Sequence, residues 1–314
     1  MNGVQGLLKG HPSLRRAKSR HEEGRLSLFV GAGFSKSCRL PRWDELVDKV
    51  VERAWPTGEF ESVVKAKAHR KGVVQQGLEA AVDLAEMRGG PGEPRDTFVK
   101  IVKQCLYGDT ETLELSPTAR ATAKLKNVRE ICCLNFDNVL EEAYQRDRAD
   151  VAAIPVVRDK QVPEKADVVV IYHAHGYLPH GTQGNQTSRE ELVLGEKDYF
   201  KHFMEPYSWP NLIQLKLFMT TSVLFIGFSF KDRNTMRLLF RAKQMNLPYT
   251  HFALLRDPTS PAFSERERDK EASAIFDNFM YRLKELNVAP ITYEDHKYLP
   301  DLLNFINGTG GISQ

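Results

Sequence analysis

The sequence predicts an α/β fold: a parallel sheet with helices on both faces and a small helical subdomain inserted into it. Short apolar runs alternate with helical stretches from residue 130 onward, the pattern of strands joined by helical crossovers. Those runs, such as Val168-Val169-Val170-Ile171-Tyr172 and Val223-Leu224-Phe225-Ile226, carry no polar alternation, as expected of strands covered on both faces. Residues 58–128 instead carry mostly helical spacing. The chain has 314 residues, about two domains at roughly 150 residues each, or one large domain with an insertion.

Residues 1–24 are polar, basic and without periodicity, and read as a flexible tail or a partner-binding arm. Leu26-Ser27-Leu28-Phe29-Val30 is the first strand. From Trp43 the spacing turns helical, with Leu46, Val47, Val50, Val51 and Ala54 on one face, and Asp44 and Glu45 suit the dipole of its first turn. Within 58–128, Val63, Val64 and 78–84 have helical spacing, Gly89-Gly90-Pro91-Gly92 breaks the chain, and another helix begins near Phe98. Next come a strand over 130–134, a helix over 138–144, and a strand over 168–172. A helix over 212–218 leads to a strand over 223–226, a helix over 235–245 and a strand over 251–255. A charged helix near 264–286, a last strand around 289–293 and a helix near 299–306 complete a Rossmann-like order. The boundaries are then 1–24 for the tail, 25–57 and 129–307 for the Rossmann-like domain, 58–128 for the inserted subdomain and 308–314 for a second tail.

Ligands of such sheets bind at the carboxyl ends of the strands. After the first strand stands Gly31-Ala32-Gly33-Phe34-Ser35, either a tight strand-to-helix turn or a loop whose backbone N–H groups meet a phosphate. After the second stands Asn135-Phe136-Asp137. The Asn135 amide can hold a ribose hydroxyl or a water, while Asp137 either orients it or caps the next helix. His173-Ala174-His175-Gly176 follows the strand at 168–172. An imidazole there suits a general base, since its ordinary pKa is near neutrality. His175 is favoured because Gly176 leaves its ring accessible, but His173 lies one alternation earlier and pattern alone does not separate them. A metal is not expected, for lack of a third ligand at a matching strand end. Gly227 and Ser229 follow the strand at 223–226 and can admit a second part of a nucleotide, with Asp232 as a helix cap or a ribose partner. Together these residues form an inventory for binding a dinucleotide and activating a hydroxyl or water beside it.

Composition excludes several classes. Hydrophobic residues at 41% and charged residues at 27% give a chain able to bury a core. A net charge of +3 does not argue for direct nucleic-acid binding. No run approaches the 18 or so apolar residues of a membrane span, and no apolar stretch follows the basic N-terminal residues as in a signal peptide. The four cysteines, Cys38, Cys105, Cys132 and Cys133, include no Cys-x-x-Cys pair. That points to a cytoplasmic protein without disulfides or a structural zinc.

These motifs resemble those of the sirtuin family, and more closely the NAD-hydrolysing sirtuin-like domains of bacterial anti-phage defence. Gly31-Ala32-Gly33-Phe34-Ser35 matches the family's Gly-Ala-Gly-x-Ser loop, and Leu134-Asn135-Phe136-Asp137 stands where sirtuins carry Gln-Asn-Ile-Asp. His175-Gly176 matches the catalytic His-Gly. The stretches 40–46, 192–199 and 227–234 look like the bacterial branch, and the resemblance spans roughly 26–307. Two departures stand out: Leu134 replaces the family's glutamine, and the zinc module that deacylating sirtuins place after the catalytic histidine is missing, no cysteine following Cys133.

The resemblance implies an NAD⁺ hydrolase that releases nicotinamide, with NAD as substrate and without zinc. Asn135 and His175 would be catalytic, and Gly31, Ala32, Gly33, Phe34, Ser35, Asp137, Gly227, Ser229 and Asp232 would hold the nucleotide. The alternative is a non-catalytic NAD- or ADP-ribose-binding regulatory subunit. A toxic NADase must be gated, so a homo-oligomer, or a complex with a HerA-type ATPase or a short Argonaute, is expected. Nucleic acid would then be met only through such a partner. The 58–128 block and the basic tail are the expected contact segments, the alternative being a monomer whose helical block covers the site.

Overall fold

The structure is a computed structural model that describes residues 11–88, 95–157, 167–181, 187–257 and 270–309. The expected break at Gly89–Gly92 and the start of the charged helix near 264 lie outside these residues. The strands are β1 (Leu26–Val30), β2 (Glu130–Cys133), β3 (Ala152–Val156), β4 (Val168–His173), β5 (Ser222–Ile226), β6 (His251–Arg256) and β7 (Val288–Tyr293). They form one 7-stranded sheet in the order β3-β4-β2-β1-β5-β6-β7, with every pairing parallel. The fold is thus the Rossmann-type α/β arrangement that the alternation predicts.

Side-chain alternation sends the two faces of the sheet into different cores. Leu28, Val30, Ile131 and Cys133 join one buried cluster. Phe29, Cys132, Val223 and Phe225 join the other. The adjacent cysteines therefore face opposite sides of β2, each as a small buried hydrophobe. Helices α10 (Trp209–Thr220), α11 (Arg233–Gln244) and α12 (Lys270–Glu285) cover the second face through Leu217, Phe218, Leu238, Leu239 and Leu283.

Most of the expected 58–128 block covers the first face. It holds α4 (Val63–Val74), α5 (Leu78–Arg88) and α6 (Arg95–Tyr107), packed against α3 (Trp43–Ala54). Their Val73, Ala81, Val82, Phe98, Val99 and Val102 share one continuous cluster with the sheet residues. Its last helix, α7 (Pro117–Ala123), packs instead with α8 (Val139–Asp147) and α13 (Leu299–Ile306).

Two differences from the sequence reading have clear physical causes. The tail expected over 1–24 is helical from Pro12 to Glu22, here α1. Pro12 occupies the first turn, where its missing N–H costs nothing. Leu14, Ala17 and His21 form a narrow buried stripe, too short to stand out among the basic residues. Tertiary contacts hold the helix: Lys18 Nζ lies 4.9 Å from the centre of the Phe305 ring, and the Asn127 N–H donates to His21 Nε2 at 3.2 Å. The second difference is β3, whose Ala-Ala-Ile-Pro-Val run lacks a strong apolar signature. It sits at the sheet edge, where a proline is tolerated.

His251 gives the sheet a pH dependence. It opens β6, and its Nδ1 accepts from the Val223 N–H of β5 at 3.2 Å. Burial lowers its pKa from the ordinary 6.5 to about 4. Between those values the unfolded chain takes up a proton that the folded chain refuses, so stability rises with pH across that window and falls as pH drops from 6.5 toward 4. Melting temperatures at several pH values in this range are expected to fall less steeply for His251→Gln than for the native chain. Parallel slopes would remove His251 as a cause.

Candidate active site

The chain order reverses direction at β1, which sends its next strand to one side while β5 and its successors lie on the other. The register aligns Val30 with Cys133 and with Ile226, and Cys133 with His173. The loops after β1, β2, β4 and β5 therefore leave the sheet side by side, at the switch point where open α/β sheets bind ligands.

Two glycine turns meet there. The Gly31 N–H donates to Ile226 O at 3.1 Å, and the Gly33 N–H to Gly227 O at 2.9 Å. Gly227 has a φ of +64°, and a Cβ on it would lie 2.1 Å from Phe34 N. Only glycine permits this approach. After Gly31 the chain enters the short helix α2 (Ala32–Lys36). The Phe34 N–H donates to Gly31 O at 2.9 Å, and the Phe34 side chain is buried in the core. The loop thus spends the N–H groups of Gly31, Gly33 and Phe34 on the protein. Among the described residues the Ala32 N–H finds no backbone acceptor. Gly33 and Ser229 are exposed and Ala32 half-buried, so these form the open side of the two turns.

Asn135 is fixed by its own side chain. Its Nδ2 donates to Gly31 O at 3.1 Å and to Ser35 Oγ at 2.7 Å. Because a carbonyl oxygen can only accept, the orientation of the amide is determined. Among the described residues no donor reaches its Oδ1. The amide therefore offers an acceptor, suited to a hydroxyl or a water. The Ser35 hydroxyl also stands beside the Asp137 carboxyl and favours its charged form. Asp137 also accepts from the Val139 N–H at 3.1 Å, at the start of α8. Burial raises its pKa, with Ser35 and the Val139 N–H opposing. Asp137 is thus engaged with the protein at the start of α8, with its carboxyl beside Ser35.

The two histidines part ways. The His173 side chain is fully buried, with Nε2 2.7 Å from Glu141 Oε1. His175 lies beyond the strand end, its Nε2 3.9 Å from Asp232 Oδ2. The Tyr199 ring stands edge-on to it at 5.7 Å. Burial lowers the His175 pKa to about 4, with the Asp232 charge partly offsetting it. The ring is therefore neutral at pH 7, the form that accepts a proton. Asp232 does two jobs at once. Its Oδ1 caps α11 by accepting from the Thr235 N–H at 2.6 Å. Its Oδ2 is buried, and no hydrogen bond is formed to it among the described residues. The carboxylate faces His175 and Tyr199, so Asp232 is both a helix cap and a charge beside the imidazole.

Tyr199 reaches His175 through a clamp that motif reading did not show. Arg189 makes a bidentate pair with Glu86 of α5, at 2.8 and 2.6 Å, and binds Asp198 at 3.0 Å. Asp198 also accepts from the N–H groups of Leu194 and Gly195, at 3.1 and 2.9 Å. Leu192–Tyr199, which runs into α9 (Glu196–Met204), is thereby tied to the helical block. The segment is legible as a motif, but Arg189 and Glu86 are 103 residues apart and give no sequence signal of their pairing. Among the described residues no cluster of three or more potential ligands can hold a metal ion, and no helix is long and apolar enough to cross a membrane.

The chain is similar to "Defense-associated sirtuin 2" of Bacillus subtilis, at 23% identity over 241 residues, covering 75% of this chain and 21% of that protein. It thus spans about a fifth of that relative's length. A solved structure described as "Structural Basis for the Mechanism and Regulation of Sir2 Enzymes" aligns over 96% of this chain and 97% of its own, with 15% identity and a TM-score of 0.41. A family model described as "SIR2-like domain" matches residues 129–291, just over half of the chain, from β2 into β7 and across Asn135, His175 and Asp232. With that match, the chain belongs to the SIR2-like family.

Proposed function

We propose that this site cleaves NAD⁺ to nicotinamide and an ADP-ribose product with water as acceptor, and that the reaction serves anti-phage defence by depleting NAD⁺. The observation that carries the reading is the placement of a buried, neutral His175 beside Asp232, just beyond the end of the strand next to the one that presents Asn135. The defence role rests on the similarity to a protein named for it.

In this reading the exposed side of the Ala32–Gly33 and Gly227–Ser229 turns takes the pyrophosphate. The bond between C1′ of the ribose and the nicotinamide nitrogen breaks, and its electron pair neutralises the pyridinium ring. Asn135 Oδ1 accepts a hydrogen bond from the attacking water or a ribose hydroxyl. The water oxygen bonds to C1′, and its proton passes to His175. The imidazolium so formed is stabilised by the Asp232 carboxylate, whose field acts at short range in a buried site. No residue holds zinc in this scheme, and the acceptor is water rather than an acyl-lysine.

Gating by self-association, or by an ATPase or Argonaute partner, is part of the same proposal. The purified full chain, alone and mixed with the products of its neighbouring genes, is expected to convert NAD⁺ to an equal amount of free nicotinamide. Tight NAD⁺ binding with no nicotinamide under any of these conditions would favour the regulatory-subunit reading.

A further inference from the structure

His173 and Glu141 take no part in the chemistry above, yet His173 touches Asn135 directly and Glu141 holds His173. His173 Nδ1 lies 3.1 Å from the backbone carbonyl oxygen of Asn135. Its Nε2 lies 2.7 Å from Glu141 Oε1, on the first turn of α8. The Tyr177 ring covers the imidazole, with centroids 4.4 Å apart. Both neighbours of the ring are oxygens that ordinarily accept, while a neutral imidazole has one donor and one acceptor. Two acceptors demand a proton on Nδ1 and another on the line between Nε2 and Oε1. Either an imidazolium faces a carboxylate, or a neutral ring faces a carboxylic acid. In both states Nδ1 donates to Asn135 O.

Asn135 is thereby held at both ends. Its amide is fixed by Gly31 O and Ser35 Oγ, its carbonyl by His173. The side-chain bonds set the plane of the amide, and the carbonyl bond stops the peptide that carries it from turning. We propose that His173, held by Glu141, is a positioning residue that sets where Asn135 Oδ1 points. The inference rests on the NAD-cleaving reading for its kinetic consequence, but not for its geometry.

A buried ion pair that serves only structure can be exchanged for apolar residues of similar size at little cost in stability. The double variant His173→Leu/Glu141→Leu makes that exchange. It is expected to stay folded, yet to lose kcat for nicotinamide release by about 10- to 100-fold, with KM for NAD⁺ changed less than about twofold. Glu141→Gln, whose amide can donate to Nε2 while Nδ1 still donates to Asn135 O, is expected to recover most of that loss. Full kcat in the folded double variant would overturn the proposal.

Two readouts are independent of turnover. In the native chain the ¹⁵N shift of His173 Nδ1 is expected to be that of a protonated nitrogen. An unprotonated Nδ1 would overturn the proposal even if the double variant failed to fold. In the double variant the Asn135 side-chain N–H protons are expected to exchange with solvent faster than in the native chain. Equal protection would likewise defeat it. If the native chain releases no nicotinamide, the function proposed above falls, and these two measurements still decide the positioning role.

Discussion

His175→Ala is expected to lower nicotinamide release by about 10²- to 10⁴-fold, the usual effect of removing a positioned general base. The fold is expected to survive at pH 7. His175 is 7% exposed at the end of a strand rather than inside a packed cluster, and burial already holds its ring neutral. NAD⁺ binding should persist, because the glycine turns after β1 and β5 are untouched. The native pH profile adds a second check. An ordinary histidine would give kcat/KM an acid limb near 6.5. With its pKa lowered to about 4 by burial, His175 stays in the proton-accepting form well below that value. The limb should therefore lie below pH 6.5, in the range where His251 also begins to destabilise the sheet. A limb centred at 6.5 would mean that the base is another group, or that the site is far wetter than its burial indicates. Full turnover in folded His175→Ala would remove it as the base altogether.

What the sequence made legible follows from how local each signal is. The buried strands were readable because Leu26–Val30, Val168–His173 and Ser222–Ile226 are continuous apolar runs with turn residues behind them. Asn135, His175 and Gly227 were readable for the same reason, since each stands just beyond such a run. Three kinds of feature stayed hidden. Helix Pro12–Glu22 depends on Leu14, Ala17 and His21 meeting distant surfaces, so its own composition looked like a tail. The edge strand Ala152–Val156 is defined by pairing with its neighbour more than by its residues. The clamp from Glu86 through Arg189 to Asp198, and the contact of Glu141 with His173, join residues that only the fold brings together. His173 and His175 lie on one alternation of the chain, so only the following Gly176 favoured His175 in the sequence. They differ because β4 ends at His173, and the turn at Gly176, with a φ of +109°, carries His175 toward Asp232.

That glycine geometry sets the second large effect, at Gly227. Gly24 and Gly227 share nearly the same backbone, with φ of +67° and +64°, but different surroundings. A Cβ at Gly24 meets nothing within 4 Å, whereas one at Gly227 lies 2.1 Å from Phe34 N and 2.7 Å from Gly33 C. Gly24→Ala should therefore cost only the left-handed backbone penalty of about 1–2 kcal/mol. Gly227→Ala carries the same penalty and must also force the two turns apart. The obstructing atoms are backbone, so no side chain can swing aside. Parting the turns breaks the bond from the Gly33 N–H to Gly227 O and shifts Gly31, whose carbonyl fixes the Asn135 amide. Denaturant melts of both variants are expected to show Gly227→Ala losing at least about 2 kcal/mol more than Gly24→Ala, in the range of a backbone clash. Where it remains folded, NAD⁺ affinity and nicotinamide release should fall together, since the phosphate-facing turns and Asn135 move as one unit. Equal stability losses in the two variants would show that the loops separate freely, and that the contact between the β1 and β5 turns does not set the shape of the site.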